Sequence, residues 1–120
     1  MQLTEEQLEL MTKVRDQMAA DLDSGRCLDR KFLCHNIVLI ENGMEEFTRP
    51  GGFGDIGYAE GSLSKDLIES VTIAINHFIT LELYLAELKI GLEWSEIMQV
   101  YAPLARVAWL DRIVATGEIA

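Results

Sequence analysis

The chain has 120 residues, with 20 acidic and 10 basic side chains, a formal net charge of −10 and a hydrophobic fraction of 49%. Its length suits one core, so we expect a single α-helical domain over residues 1–120. The hydrophobic fraction excludes a disordered acidic tail, because such tails lack the apolar residues that offset the entropy of ordering. A small domain has little interior for this apolar excess, which favours a homo-oligomer, with a dimer as the first hypothesis.

Composition also excludes several kinds of partner. The longest apolar stretch, residues 67–85, is interrupted by Glu69 and Glu82 and is too polar to cross a membrane. Residues 1–9 lack the features of a secretory signal, and two cysteines do not make a disulfide framework, so we expect a cytoplasmic protein. The net charge opposes direct binding to nucleic acid and favours a basic partner protein.

The first helix is predicted over residues 4–23. Thr4 and Gln7 have the spacing of a capping box, in which each side chain bonds the other residue's backbone N–H. Apolar residues then recur at helical steps at Leu8, Met11, Val14, Met18 and Leu22. Asp21 and Asp23 lie at the C-terminal end, where the helix dipole disfavours negative charge, so they are secondary candidates for contact with a partner.

The second segment, residues 32–41, is apolar on nearly all sides and is followed by Asn42 and Gly43. Periodicity does not separate a buried helix from a buried strand here. We predict a helix from Asp29 to Asn42, because this length is long for a strand and no second strand is apparent. A strand over residues 36–41 is the alternative.

A glycine-rich segment over residues 48–61 is predicted to be an irregular loop. It holds five of the chain's nine glycines. Loops of this length inside a domain are uncommon and are either functional or disordered. The large apolar side chains of Phe53, Ile56 and Tyr58 favour a loop that docks on its own domain or on a neighbour.

A long helix is predicted over residues 65–90, with Ser62 or Ser64 as its cap. At about 39 Å it is longer than a small domain is wide, which suggests a partner along its length. The last helix is predicted over residues 93–116, where Pro103 either kinks it or starts a new helix.

The predicted fold class is therefore all-α. We expect a bundle of four to five helices, with Gly117 ending the last of them and the glycine-rich loop between the second and third. No internal repeat is apparent.

The glycine-rich segment contains a G-x-G-x-x-G pattern at Gly52, Gly54 and Gly57. This pattern indicates a dinucleotide site only between a strand and a helix of a βαβ unit, and a proline-marked turn precedes it here. A weaker hypothesis remains open, in which the chain binds or sequesters a small ligand or nucleotide as a homo-oligomer. Residues 49–61, with Arg49 and the three glycines, would then form the site.

Cysteine and histidine residues give a third hypothesis. Cys27, Cys34, His35 and His77 could form a zinc site on paper, but structural zinc sites use close pairs of ligands, and these cysteines lie seven residues apart. A Cys34–His77 pair brought together by folding could serve an enzyme, although no third group to orient the histidine is identifiable. We therefore expect no metal, no cofactor and no enzymatic activity.

The favoured function is a small acidic module for protein–protein interaction. Such a module would engage a basic surface of its partner, as an inhibitor or a nucleic-acid mimic does. The nominated contact residues are the acids on exposed faces and in the loop, with the two acids of the first helix as secondary candidates: Glu45, Glu46, Asp55, Glu60, Asp21 and Asp23.

Overall fold

A computed structural model of the chain describes residues 1–24, 33–48, 50–90 and 102–119. The helices within these ranges are α1 (Glu5–Asp23), α2 (Leu33–Glu41), α3 (Gly52–Gly57), α4 (Leu63–Ile90) and α5 (Ala102–Thr116). The described residues contain no β-sheet, and their only β-type pairing is an isolated antiparallel bridge between Gln2 and Glu118. The prediction of an all-α fold is confirmed.

The capping box predicted for α1 is present. The Thr4 hydroxyl accepts from the Gln7 N–H at 3.2 Å, and the Gln7 side chain accepts from the Thr4 N–H at 2.9 Å. The helix ends at Asp23, with Ser24 as its cap. Its inward face buries Met11 and Val14 completely.

The apolar second segment forms the helix α2, so the alternative of a strand over residues 36–41 was wrong. The predicted start at Asp29 lies outside the described residues. The helix ends where the sequence indicates, because the Asn42 side chain donates to the Val38 carbonyl at 2.8 Å. Gly43 then takes a φ of 63°, a left-handed conformation that favours glycine.

The glycine-rich segment is not irregular throughout, which corrects the predicted loop over 48–61. It contains the short helix α3, which follows Gly51 at a φ of 82°. Ile56 is buried against Val38 of α2 and Ile68 of α4. This apolar contact holds α3 in place, and residue spacing in the segment could not reveal it because both partners are distant in sequence.

The long helix α4 starts at Leu63, two residues before the predicted start. With 28 residues and about 1.5 Å of rise per residue, it is about 42 Å long. The longest dimension of the molecule is 44 Å, so α4 runs along nearly all of it.

Helix α5 begins at Ala102 and has Pro103 in its first turn, where a missing N–H removes no helical hydrogen bond. The remainder of the predicted segment, residues 93–101, lies outside the described residues. The helix ends before Gly117, as predicted, and Gly117 has a φ of 73°.

The core lies between α1, α2, α4 and α5. The largest side chains with almost no exposure come from all four of these helices: Met11, Ile37, Leu67, Leu110, Val14, Val38 and Val71. The two ends of the described chain meet beside this core. The Leu3 N–H donates to the Gly117 carbonyl at 3.0 Å, and the Ile119 N–H donates to the Met1 carbonyl at 2.8 Å.

Candidate functional site

The carboxylate of Glu41, the last residue of α2, lies at the N-terminus of α4. It accepts from the backbone N–H groups of Leu63 and Ser64, the second at 3.2 Å, and from the Ser64 hydroxyl at 2.7 Å. The first N–H groups of a helix have no partner within the helix, and the helix dipole favours negative charge there. Glu41 therefore caps α4 from another helix.

Ser62 completes this N-terminus. Its hydroxyl accepts from the Lys65 N–H at 3.1 Å and donates to the Gly57 carbonyl at 3.2 Å. Of the two serines proposed as caps, Ser62 has the capping role, whereas Ser64 donates to Glu41. The Lys65 ammonium group forms an ion pair of 2.6 Å with Glu60, whose side chain is almost fully exposed. These contacts join the end of α3 to the start of α4.

An open cavity of about 340 Å³ lies between this N-terminus and α3. The polar side chains in its lining are Glu41, Asn42, Asp55, Glu60 and Ser62. The lining has three carboxylates and neither lysine nor arginine among the described residues. Glu41 is half-buried and engaged by α4, whereas Asp55 and Glu60 are exposed, with Glu60 paired to Lys65.

The structure brings together two of the acids nominated from the sequence, Asp55 and Glu60, at this cavity. Glu45 and Glu46 are exposed in the connection between α2 and α3, outside the cavity lining. Two other nominated acids lie elsewhere, at the end of α1. Asp21 is half-buried there and accepts from the Gln17 side chain at 3.0 Å, and Asp23 is exposed.

The glycines of the G-x-G-x-x-G pattern form α3, and no strand precedes them within residues 33–48. Arg49, the cation nominated for a ligand, lies outside the described residues. Gly57 is buried. A Cβ at this position would lie 3.1 Å from the Val38 side chain and 3.2 Å from that of Ile68, so a larger residue would be crowded. Close packing therefore explains this glycine without a ligand.

Four ring side chains form a cluster centred on Phe53 of α3. The Phe53 ring lies 4.8 Å from that of His35, 6.1 Å from that of Phe47 and 6.0 Å from that of Tyr58, between ring centroids. We call His35, Phe47, Phe53 and Tyr58 the aromatic cluster. Tyr58 is its exposed member, with 56% of its surface accessible.

Cys34 is half-buried on α2, and its sulfur lies 3.2 Å from the Thr72 hydroxyl. Burial raises the pKa of the Cys34 thiol, and the Thr72 hydrogen bond offsets this only in part. The thiolate is the reactive form of cysteine, so this environment disfavours a nucleophile. His77, the proposed base, is exposed on α4.

A metal site finds no support in the part of the chain that is described. No group of three or more His, Cys, Asp or Glu side chains there is placed to hold an ion. Cys27, one of the four residues considered for zinc, lies outside the described residues.

Glu41 was not nominated from the sequence. Its position carried a usable signal, because an acid at the C-terminal end of a helix opposes the helix dipole. That reasoning singled out Asp21 and Asp23 for contact with a partner. Applied to Glu41, the same reasoning would have nominated this carboxylate for a contact outside its own helix.

Comparison with protein families, with curated proteins and with solved structures found no match for this chain. Among the described helices, none is both long enough and apolar enough to span a membrane.

Proposed function

We propose that this chain is a non-enzymatic protein-binding module that engages a basic surface of another protein, as a small inhibitor or a nucleic-acid mimic would. The observation that carries the proposal is the acidic cavity beside α3. Asp55 and Glu60 are exposed there without a basic side chain in the described lining. Glu45 and Glu46 add two exposed carboxylates on the segment that leads into α3.

Electrostatic attraction would help such a module mainly to recognise its basic partner. A net charge of −10 attracts a basic partner and repels nucleic acid, and complementary charge increases the rate of encounter. Among the described residues, the cation beside the cavity is Lys65, which pairs with Glu60 at an exposed site, where an ion pair is worth about 0 to 1 kcal/mol. A partner's cation can therefore replace Lys65 at Glu60 with little loss.

The test is retention of proteins on the immobilised chain. One variant neutralises the four primary acids, with Glu45→Gln, Glu46→Gln, Asp55→Asn and Glu60→Gln. The matched control neutralises four other exposed acids, with Glu6→Gln, Glu9→Gln, Glu69→Gln and Glu118→Gln. Both variants change the net charge from −10 to −6, so they lose the same charge at different places.

We expect the wild type and the control to retain basic proteins that a salt gradient releases, identified by mass spectrometry. The variant at the four primary acids should lose them. Equal retention by all three chains would contradict the proposal, because it would show that the position of the acids does not matter.

We also propose that the chain forms a homodimer in a reducing cytoplasm. The apolar excess of the composition supports self-association, as does an exposed Ile73 on the long helix α4. A mass measurement in solution tests this directly. A species of twice 13.5 kDa is expected, and a monomer at every concentration would contradict the dimer.

A second candidate function is binding of a small ligand at the same cavity, which its volume of about 340 Å³ favours. The carboxylates oppose a nucleotide and favour a cationic ligand. A thermal shift with a polyamine such as spermidine that disappears in Asp55→Asn is the expected result. An unchanged shift in Asp55→Asn would contradict binding at this cavity.

A further inference from the structure

Asn42 and Gly43 end α2 in a turn that has the hydrogen bonds of a Schellman motif. The Met44 N–H donates to the Leu39 carbonyl at 2.9 Å, and the Gly43 N–H donates to the Ile40 carbonyl at 3.2 Å. The motif needs a left-handed residue just after the helix, and Gly43 supplies it with a φ of 63°. The fold therefore holds the backbone of this Asn-Gly pair in place.

An asparagine that precedes a glycine is chemically labile. The backbone nitrogen of Gly43 can attack Cγ of Asn42, because glycine has no Cβ to hinder the approach. The new N–Cγ bond closes a five-membered succinimide ring, and the Cγ–Nδ2 bond breaks. The side-chain nitrogen leaves as ammonia with the proton that the Gly43 nitrogen loses. Water then opens the ring at either carbonyl, which gives aspartate or isoaspartate.

The structure exposes this pair to water but restrains both reacting groups. Asn42 and Gly43 are both exposed, and a Cβ at Gly43 would meet nothing within 4 Å. The Asn42 side chain donates to the Val38 carbonyl at 2.8 Å, and the attacking nitrogen donates to the Ile40 carbonyl. Both hydrogen bonds must break before the ring can close, so the reaction requires the turn to open.

We propose that Asn42 is a site of spontaneous deamidation, with water as the co-reactant, and that local opening of the turn after α2 controls its rate. The product places a carboxylate at the C-terminal end of α2, where the helix dipole disfavours it, and removes the side-chain donor to the Val38 carbonyl. Isoaspartate also inserts a methylene group into the backbone of the turn. Because Glu41 caps α4 from the same end of α2, deamidation weakens the contact between these two helices. This site does not depend on the proposed partner.

The experiment follows the fraction of aspartate and isoaspartate at residue 42 by peptide mapping and mass spectrometry during incubation at neutral pH. The full chain is compared with a synthetic peptide of residues 38–46, which has the same sequence without the fold. The folded chain should react about ten- to a hundredfold more slowly, because the hydrogen bonds of the turn must first break. Asn36 and Asn76 lie within helices and do not precede glycine, so they serve as internal controls and should remain amides.

Two variants separate opening of the turn from unfolding of the whole chain. The Met44 side chain packs against the buried cluster that contains Val38 and Ile56, so Met44→Ala should loosen the turn and accelerate deamidation about threefold. Leu110→Ala, in the core of α5 and away from the turn, is the matched control and should leave the rate at residue 42 unchanged. Circular dichroism checks that both variants are folded.

Each outcome supports or overturns the proposal. An equal rate in the folded chain and the peptide would overturn control by the turn, and an unmodified Asn42 in the folded chain after many half-lives of the peptide would overturn the site. Equal acceleration by Met44→Ala and Leu110→Ala would assign the reaction to global unfolding. Hydrogen exchange of the Met44 N–H in the wild type measures opening of the turn without any variant. It should be faster than exchange of the N–H groups in the core of α5, and equal exchange would contradict local opening.

Discussion

The carboxylate of Glu41 accepts a hydrogen bond of 2.7 Å from the hydroxyl of Ser64, and this contact joins the end of α2 to the first turn of α4. Ser64 has no exposed surface, so water could not replace Glu41 as the hydrogen-bond partner of the Ser64 hydroxyl. A single acidic residue thus fixes the wall of the cavity on which the proposed function depends.

Glu41→Ala should lower the free energy of unfolding by about 2 to 3 kcal/mol, because a buried hydroxyl and two N–H groups lose a charged acceptor. Glu41→Gln keeps one oxygen acceptor and should cost less, about 1 kcal/mol. Denaturant titration measures both values. The control Glu69→Gln removes an exposed charge on α4 and should stay within about 0.5 kcal/mol of the wild type. Equal stability of Glu41→Ala and Glu69→Gln would contradict the capping role.

Two glycines of α3 should respond to alanine in opposite directions. At Gly57 a Cβ would lie 3.1 Å from the Val38 side chain, so Gly57→Ala should destabilise the fold by about 1 to 3 kcal/mol. At Gly54 a Cβ meets nothing within 4 Å, so Gly54→Ala should stabilise α3 by about 0.5 to 1 kcal/mol. Thermal unfolding of the two variants checks the difference in sign. Destabilisation by Gly54→Ala would show that this glycine has another role.

How much of this fold could be predicted from the sequence depended on the distance between interacting residues. The capping box of α1 was predicted because Thr4 and Gln7 are three residues apart. The helix α3 and the cap by Glu41 were missed because they depend on contacts between segments distant in the chain, such as Ile56 with Val38. Asp55 and Glu60 were nominated from one segment, but the cavity that they share was missed because it also depends on Glu41 and Asn42, which belong to an earlier segment.

Cys34 should react slowly with alkylating agents, because burial raises its thiol pKa above the ordinary value of 9.0. In a Cys27→Ser background, the pH profile of alkylation by iodoacetamide reports Cys34 alone. Thr72→Val should slow the reaction further, since the Thr72 hydrogen bond lowers this pKa. Thr72→Ser retains the hydroxyl and should match the wild type. Faster alkylation in Thr72→Val would contradict this description of the thiol.

Because the pKa of the Cys34 thiol is raised in the folded chain, we expect the stability of the protein to change with pH. The unfolded chain releases the Cys34 proton at a lower pH than the folded chain does, so the folded state binds more protons above about pH 9. Stability should therefore fall as the pH rises through that range. A Cys34→Ser variant should lose this part of the decrease in denaturant titrations at increasing pH, and an identical decrease in both chains would assign it to other groups.

Helix α5 offers a matched test of the core. Leu110 has no exposed surface and Leu104 is 45% exposed, so the same substitution probes burial alone. Leu110→Ala should lower the free energy of unfolding by about 2 to 5 kcal/mol, and Leu104→Ala by less than about 1 kcal/mol. Denaturant titration distinguishes them. Similar losses at the two sites would contradict the packing of α5 against α1 and α4.

The central claim, that exposed carboxylates around α3 bind a basic partner, is tested most directly by the salt dependence of that binding. The measurement is the Kd of the most strongly retained basic protein across a salt series from about 0.05 to about 0.5 M, where the screening length falls severalfold. For the wild type, Kd should rise steeply with salt. The variant at the four primary acids should bind weakly with little salt dependence, and the control at four other acids should follow the wild type. A Kd that stays constant as salt rises, or a steep rise in the variant equal to that of the wild type, would contradict the claim.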